Sequence, residues 1–188
     1  MEEKLLAIAD EVIALSASNE QIEVIAVHDQ ETDIRVYKGE LESFTASESQ
    51  GVGIRVVQDG RQGMAYAGSL DMEILKETLS EARDNATFGT FDEMLQIAEP
   101  DNVEPISLDL YNPALKEFAT EDKIALAKEL EEYIMKSDER IVGVESSEYV
   151  DSISASAIVT SSGIRRSGYD GGCYIAGSSL ASDGKDMQ

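Results

Sequence analysis

Residues 51–68, Gly-Val-Gly-Ile-Arg-Val-Val-Gln-Asp-Gly-Arg-Gln-Gly-Met-Ala-Tyr-Ala-Gly, read as a β-hairpin that turns at Asp59-Gly60. Asp-Gly between alternating apolar runs is a strong hairpin signal, because a type I′ turn needs φ > 0 at both central residues. The turn fixes the pairing. Val52 then faces Ala67, Ile54 faces Ala65 and Val56 faces Gly63. One face carries β-branched residues on one strand and tiny residues on the other, so a helix can lie close against the small side. The opposite face pairs Gly53 with Tyr66 and Arg55 with Met64. There the Tyr66 ring is expected to lean over the bare glycine backbone.

Outward from the hairpin, the pattern stays short-range and antiparallel. Residues 2–17 place Leu5, Ile8, Ala9, Val12 and Ile13 on one helical face. Ile22–Val27 reads as a strand, Asp29–Asp33 as a turn, and Ile34–Lys38 as a second strand closed by Gly39-Glu40. Leu41–Gln50, rich in Ser and Thr, reads as another extended run. A helix is predicted over 72–86, with Asp71 as its N-cap and Leu70 stapled to Leu75. Residues 88–119 hold all three prolines (Pro100, Pro105 and Pro113). They read as a long connection with one short helix around 91–98, either wrapping the domain or linking two layers.

Thr120 is the expected cap of a helix over 121–136. Glu121 and Asp122 suit the dipole of its first turn, Ile124, Ala127, Leu130 and Ile134 should face inward, and Glu132 can pair with Lys136. Strands follow at 141–149, at 152–160 after a bend at Val150-Asp151, and at 164–177 after a turn at Ser161-Ser162-Gly163. The sequence therefore predicts an α+β fold, with an antiparallel meander packed by helices at about 2–17, 72–86 and 121–136. A subdivision into 1–87 and 120–188, joined by 88–119, is compatible with this order. Asp183-Gly184 resembles a hairpin turn with almost no second strand after it, which suggests that the 188 residues are the front part of a longer protein.

Composition narrows the function classes. The chain has 15 basic and 38 acidic residues, a formal net charge of −23. That argues against a nucleic-acid surface, which needs clustered Lys and Arg, and against docking on anionic lipid. It suits solubility and leaves room for a basic protein or peptide partner. The first residues lack a basic n-region and a long apolar core, and no apolar run reaches membrane-spanning length. A cytoplasmic protein is expected.

Catalytic signals are few. One His and one Cys cannot make a zinc site of several ligands at set spacing. No Ca²⁺ loop pattern is present, and the many carboxylates read as a solvated face. Cys173 with His28 as base would be a nucleophile pair. A small buried apolar residue is the better reading of Cys173, and a surface histidine the better reading of His28. Gly51-Val-Gly53 lacks the third glycine and the following helix of a dinucleotide loop. Arg165-Arg166 reads as surface charge. Arg55 reads as a snorkelling arginine paired with an acidic neighbour. The face with Arg55, Met64 and Tyr66 remains the place for a peptide or partner contact.

Val24–Lys38, Gly39-Glu-Leu-Glu-Ser43 and the glycine- and arginine-bearing hairpin together resemble the N-terminal domain of the TldD/PmbA family. These proteins are described as modulators of DNA gyrase and as microcin-maturation metallopeptidases. The resemblance continues through Leu110-Tyr-Asn-Pro113, the helix from Thr120, Asp138-Glu-Arg-Ile141 and Asp183-Gly-Lys-Asp-Met-Gln188. The later segments look closer to the PmbA (TldE) branch. What the resemblance implies is a non-catalytic N-terminal domain, 1–188, followed in the longer protein by a C-terminal domain. It implies zinc in the full-length protein or its partner, none of whose ligands maps onto this chain. It also implies a homo- or heterodimer with a TldD/PmbA-type subunit and an extended peptide substrate enclosed in a chamber. Two further classes are kept beside this: a regulatory module binding a protein such as gyrase, and a small enzyme using Cys173.

Overall fold

The computed structural model of the protein describes residues 1–104, 106 and 108–187, so the proline at 105 and the final Gln188 of the family-like stretch lie outside it. The element order is α1 (Glu2–Ile13), β1 (Gln21–Tyr37), β2 (Glu40–Gln58), β3 (Arg61–Ala67), α2 (Met72–Phe88), α3 (Ala114–Glu117), α4 (Thr120–Ser137), β4 (Ile141–Thr160) and β5 (Arg165–Ala181). The strands form one antiparallel sheet in the order β3-β2-β1-β4-β5. The α+β prediction holds.

The strands are longer than the sequence suggests. Asp29–Asp33 is not a turn: it lies inside β1, which runs unbroken for 17 residues. Val150-Asp151 does not break β4. Near both places, at Asp29/Gln30 and at Ile153/Ser154, the chain passes from one compact unit to the other. The polar residues of 29–33 sit half-buried or exposed on both faces, so they satisfy solvent without turning the chain. Hydrophilicity there imitates a loop.

The first unit comprises Met1–Asp29, Ser49–Leu108 and Ser154–Asp170. The hairpin forms in the predicted register, with Val52 opposite Ala67, Ile54 opposite Ala65, Arg55 opposite Met64 and Val56 opposite Gly63. Asp59 (φ 50°) and Gly60 (φ 67°) are both left-handed, as a I′ turn demands. Val52, Ile54 and Val56 are buried with Ile22, Val24 and Ala26 of β1, Leu5 and Val12 of α1, and Leu75, Leu79 and Ala82 of α2. Asp71 caps α2, its carboxylate accepting from the amides of Glu73 and Ile74, and Leu70 packs on the core. The small side of the hairpin admits α2 to backbone contact: a Cβ on Gly63 would lie 2.1 Å from the Ala86 nitrogen and 2.2 Å from the Ala82 oxygen.

Two local predictions in this unit fail. α1 ends at Ile13 rather than 17, because the Ser16 hydroxyl donates to the Ile13 carbonyl at 2.7 Å and the Ser/Asn-rich run beyond favours local bonds over helix. No helix forms at 91–98. That segment turns at Glu93-Met94 and packs on the unit: Asp92 N–H donates to Gly60 O (2.8 Å), Ile97 is fully buried, and its N–H donates to the Gln21 side chain (2.9 Å). Those tertiary bonds replace the ones a helix would supply.

The second unit comprises Gln30–Glu48, Asp109–Ile153 and Gly171–Gln188. Its apolar centre is small: Ile34, Val36, Ala127 and Tyr149, flanked by Ile124 and Leu126. α4 starts at Thr120, one residue before expectation, with Ala119 at its N-cap and no side-chain cap bond, so Thr120 is not the cap. Leu130 and Ile134 are only partly buried and lie over Gly177 of β5. The buried positions of α4 are Lys123, Ala127 and Glu131, spaced four apart. Glu131 has a structural task. Its two carboxylate oxygens accept the N–H groups of Lys38 and Gly39, each at 2.6 Å. Those residues form the left-handed β1–β2 turn (φ 53° and 76°), so α4 clamps the hairpin through one side chain.

Candidate functional site

In the first unit, the sheet face away from α2 carries the predicted contact residues. Arg55 is anchored rather than free: its Nε donates to Glu23 Oε1 at 3.0 Å. Met64 is 62 % and Tyr66 87 % exposed, with Ile25 of β1 also exposed. The Tyr66 ring does not cover Gly53, since a Cβ there would meet nothing within 4 Å; the ring extends into solvent instead. This face offers a thioether, a phenol and an ion pair. None of these is a nucleophile with a base beside it, so its chemistry is that of a contact surface.

Of the remaining sequence candidates, His28 and Cys173 are placed differently from expectation. His28 is buried, not on the surface, because β1 continues past it and its parity matches Ile22, Val24 and Ala26. Cys173 is exposed, not buried, because most of β5 is open to solvent. The two belong to different compact units. Arg165 is spent on Asp10 at 3.0 Å. Gly51–Gly53 is mid-strand, with no helix after it. Among the described residues no group of three or more His, Cys, Asp or Glu could hold a metal ion, and no helix is long and apolar enough to cross a membrane.

Sequence reasoning missed the polar chemistry of the second unit. A cleft of about 1090 Å³ runs beside α4, lined by Arg35, Tyr37, Lys38, Lys128, Met135 and Val142 among others. Arg35 bonds Glu42 at 2.9 Å. A second, smaller hollow holds a buried ion pair, Lys123 Nζ to Asp151 Oδ2 at 2.5 Å. The Lys123 ammonium is also 5.7 Å from the ring centre of Tyr149. Burial, then the Asp151 carboxylate and Cys173, push the Tyr149 phenol well above its ordinary value. The i, i+4, i+8 line of Lys123, Ala127 and Glu131 was the available signal. The apolar spacing of Ile124, Ala127, Leu130 and Ile134, which shares Ala127 with that line, masks it.

Two family models match the chain. PmbA/TldA metallopeptidase domain 1 matches residues 22–86, and the PmbA/TldA metallopeptidase central domain matches residues 113–188. No curated protein matches. Three solved structures share the fold. A proposed modulator of a DNA gyrase from Thermotoga maritima superposes with a TM-score of 0.80 at 20% identity, over 97% of this chain and 41% of that one. A proposed modulator of DNA gyrase from Bacteroides thetaiotaomicron gives 0.77 at 18%, over 98% and 42%. TldE from Thermococcus kodakarensis gives 0.78 at 17%, over 98% and 40%. The chain thus spans about two fifths of the length of those proteins. With both family models aligned to it, the chain belongs to the TldD/PmbA family.

Proposed function

We propose that the chain is a non-catalytic N-terminal portion of a TldD/PmbA-type metallopeptidase subunit, serving proteolysis or peptide maturation through chamber formation and subunit pairing. The carrying observation is that two successive metallopeptidase-family domains match a chain with a single histidine and a single cysteine. The zinc-dependent chemistry then belongs to the longer protein or to its partner subunit. The open face with Arg55, Met64 and Tyr66 is the contact surface for partner or peptide. Residues 40–50 of β2 are exposed on both faces, and β3 pairs only with Val52–Gln58, so this stretch offers a free edge for an extended peptide to join by strand addition. The subunit works in the cytoplasm, in a homo- or heterodimer, and its later segments favour the PmbA branch.

The test is reconstitution. The isolated 188 residues should show no peptidase activity, and activity should appear only when the native full-length protein meets a zinc-bearing partner, with loss on chelation. Zinc-dependent cleavage by the 188 residues alone overturns the proposal. A second reading, a regulatory module for a basic protein, is favoured by the net charge of −23 and by the gyrase-modulator descriptions of the structural neighbours. It predicts direct, salt-sensitive binding without any peptidase partner.

A further inference from the structure

Lys123 is placed against three physical preferences at once. It is a cation in the first turn of α4, where the helix dipole favours anions. It is only 8% exposed. Its partner Asp151 is 5% exposed, and a buried ion pair seldom adds net stability over apolar packing. Beside the pair, the Tyr149 hydroxyl is enclosed, with the Asp151 carboxylate and Cys173 as its polar neighbours. Such groups are costly in a scaffold and common in binding sites.

The pair forms part of the wall of a hollow of about 330 Å³ within the second unit. Lys116 adds a second cation to the wall, Glu31 and Glu48 add carboxylates, and Thr32 adds a hydroxyl. We propose that this hollow is a binding site for a free α-amino acid. The volume stands at the small end of the ligand-pocket range of roughly 300–1,000 Å³, too small for a folded partner. Two lysines disfavour a simple cation and three carboxylates disfavour a simple anion. A small zwitterion presents an ammonium to the acids and a carboxylate to the lysines. The buried Lys123–Asp151 pair then keeps both charges in place when the site is empty of ligand. This inference does not depend on the proposed peptidase role.

The experiment is an amide NMR titration of the 188-residue chain with alanine, serine and leucine, and with acetate and methylammonium as single-charge probes. Saturable shifts are expected at the amides of Thr32, Lys116, Lys123 and Asp151. Each single-charge probe should bind about tenfold or more weaker, the worth of one charged hydrogen bond. Lys116→Ala, at an exposed position, and Thr32→Val should each weaken alanine binding severalfold, and Lys123→Met with Asp151→Leu should abolish it. If that double variant does not fold, the two single variants decide. Absence of saturable shifts at these amides with all three amino acids overturns the proposal. So does acetate binding as tightly as alanine, or unchanged affinity in Lys116→Ala and Thr32→Val.

Discussion

The two compact units are threaded by the same long strands but held by different forces. Among the described residues, the first holds eighteen buried apolar side chains in one cluster, and the cluster of the second holds four, one of them a tyrosine. What the second lacks in hydrophobic burial it replaces with directed polar bonds: the Glu131 clamp on the β1–β2 turn and the Lys123–Asp151 pair. Non-directional burial tolerates local change and declares itself as periodicity in sequence. Polar clamps do neither.

The largest test of this contrast is Asp151→Ala. It strands the Lys123 charge and should cost about 3–5 kcal/mol, whereas Lys123→Met with Asp151→Leu should be near neutral or stabilising. Urea unfolding of both variants reads the difference, and equal losses would mean that the pair itself holds the second unit. In the first unit, Gly63→Ala forces a methyl into the backbone of α2 and should cost about 3 kcal/mol, the upper end for overpacking. An unfolding midpoint like that of the unaltered protein would show that α2 can retreat.

Glu131→Ala releases two turn amides and should cost about 1–3 kcal/mol, with amide exchange quickening first at Lys38 and Gly39. For Glu20, burial pushes the carboxyl up, but the hydrogen bonds from Arg83 and from the Ala17 amide outweigh it and hold the group below the usual carboxylate range. The folded state therefore gains stability at neutral pH that is lost as pH falls through that depressed value. Glu20→Gln should flatten the acid limb of a stability–pH profile, and an unchanged limb would assign it to other carboxylates. The smallest effect belongs to Gly177→Ala. The added methyl meets the Ile134 Cδ1, a mobile chain end, at 2.3 Å, and the cost should stay under about 1 kcal/mol.

The same contrast explains what could be read from the sequence. The hairpin register, the Asp71 cap and the inward faces of β1, α1 and α2 all follow from turn chemistry and apolar spacing, and the structure repeats them. Asp29–Asp33 and Val150-Asp151 resemble breaks in the sequence, but polarity signals a turn only where the chain has no strand partner, and that is decided by residues far away. Cys173 departs from its residue type's burial habit for a related reason: that habit describes central strands, and β5 ends the sheet. That Arg55, Met64 and Tyr66 share one face of the hairpin follows from its register. The Lys123–Asp151 hollow is not legible in the sequence, since Lys123 and Asp151 are distant along the chain and neither carries a local signature.

The order β3-β2-β1-β4-β5 has a consequence for how the chain comes to be folded. β1 finds one neighbour, β2, across a two-residue turn, but waits for the other until β4 has been made. Ile22 and Ser161, bonded across that seam, are 139 residues apart. During synthesis the central strand of the finished sheet is for a time its margin, with the edge that β4 will take still unpaired. Closing so long a loop is slow, and an unpaired strand edge is where chains stick to one another. The net charge of −23 works against such sticking by keeping like-charged chains apart.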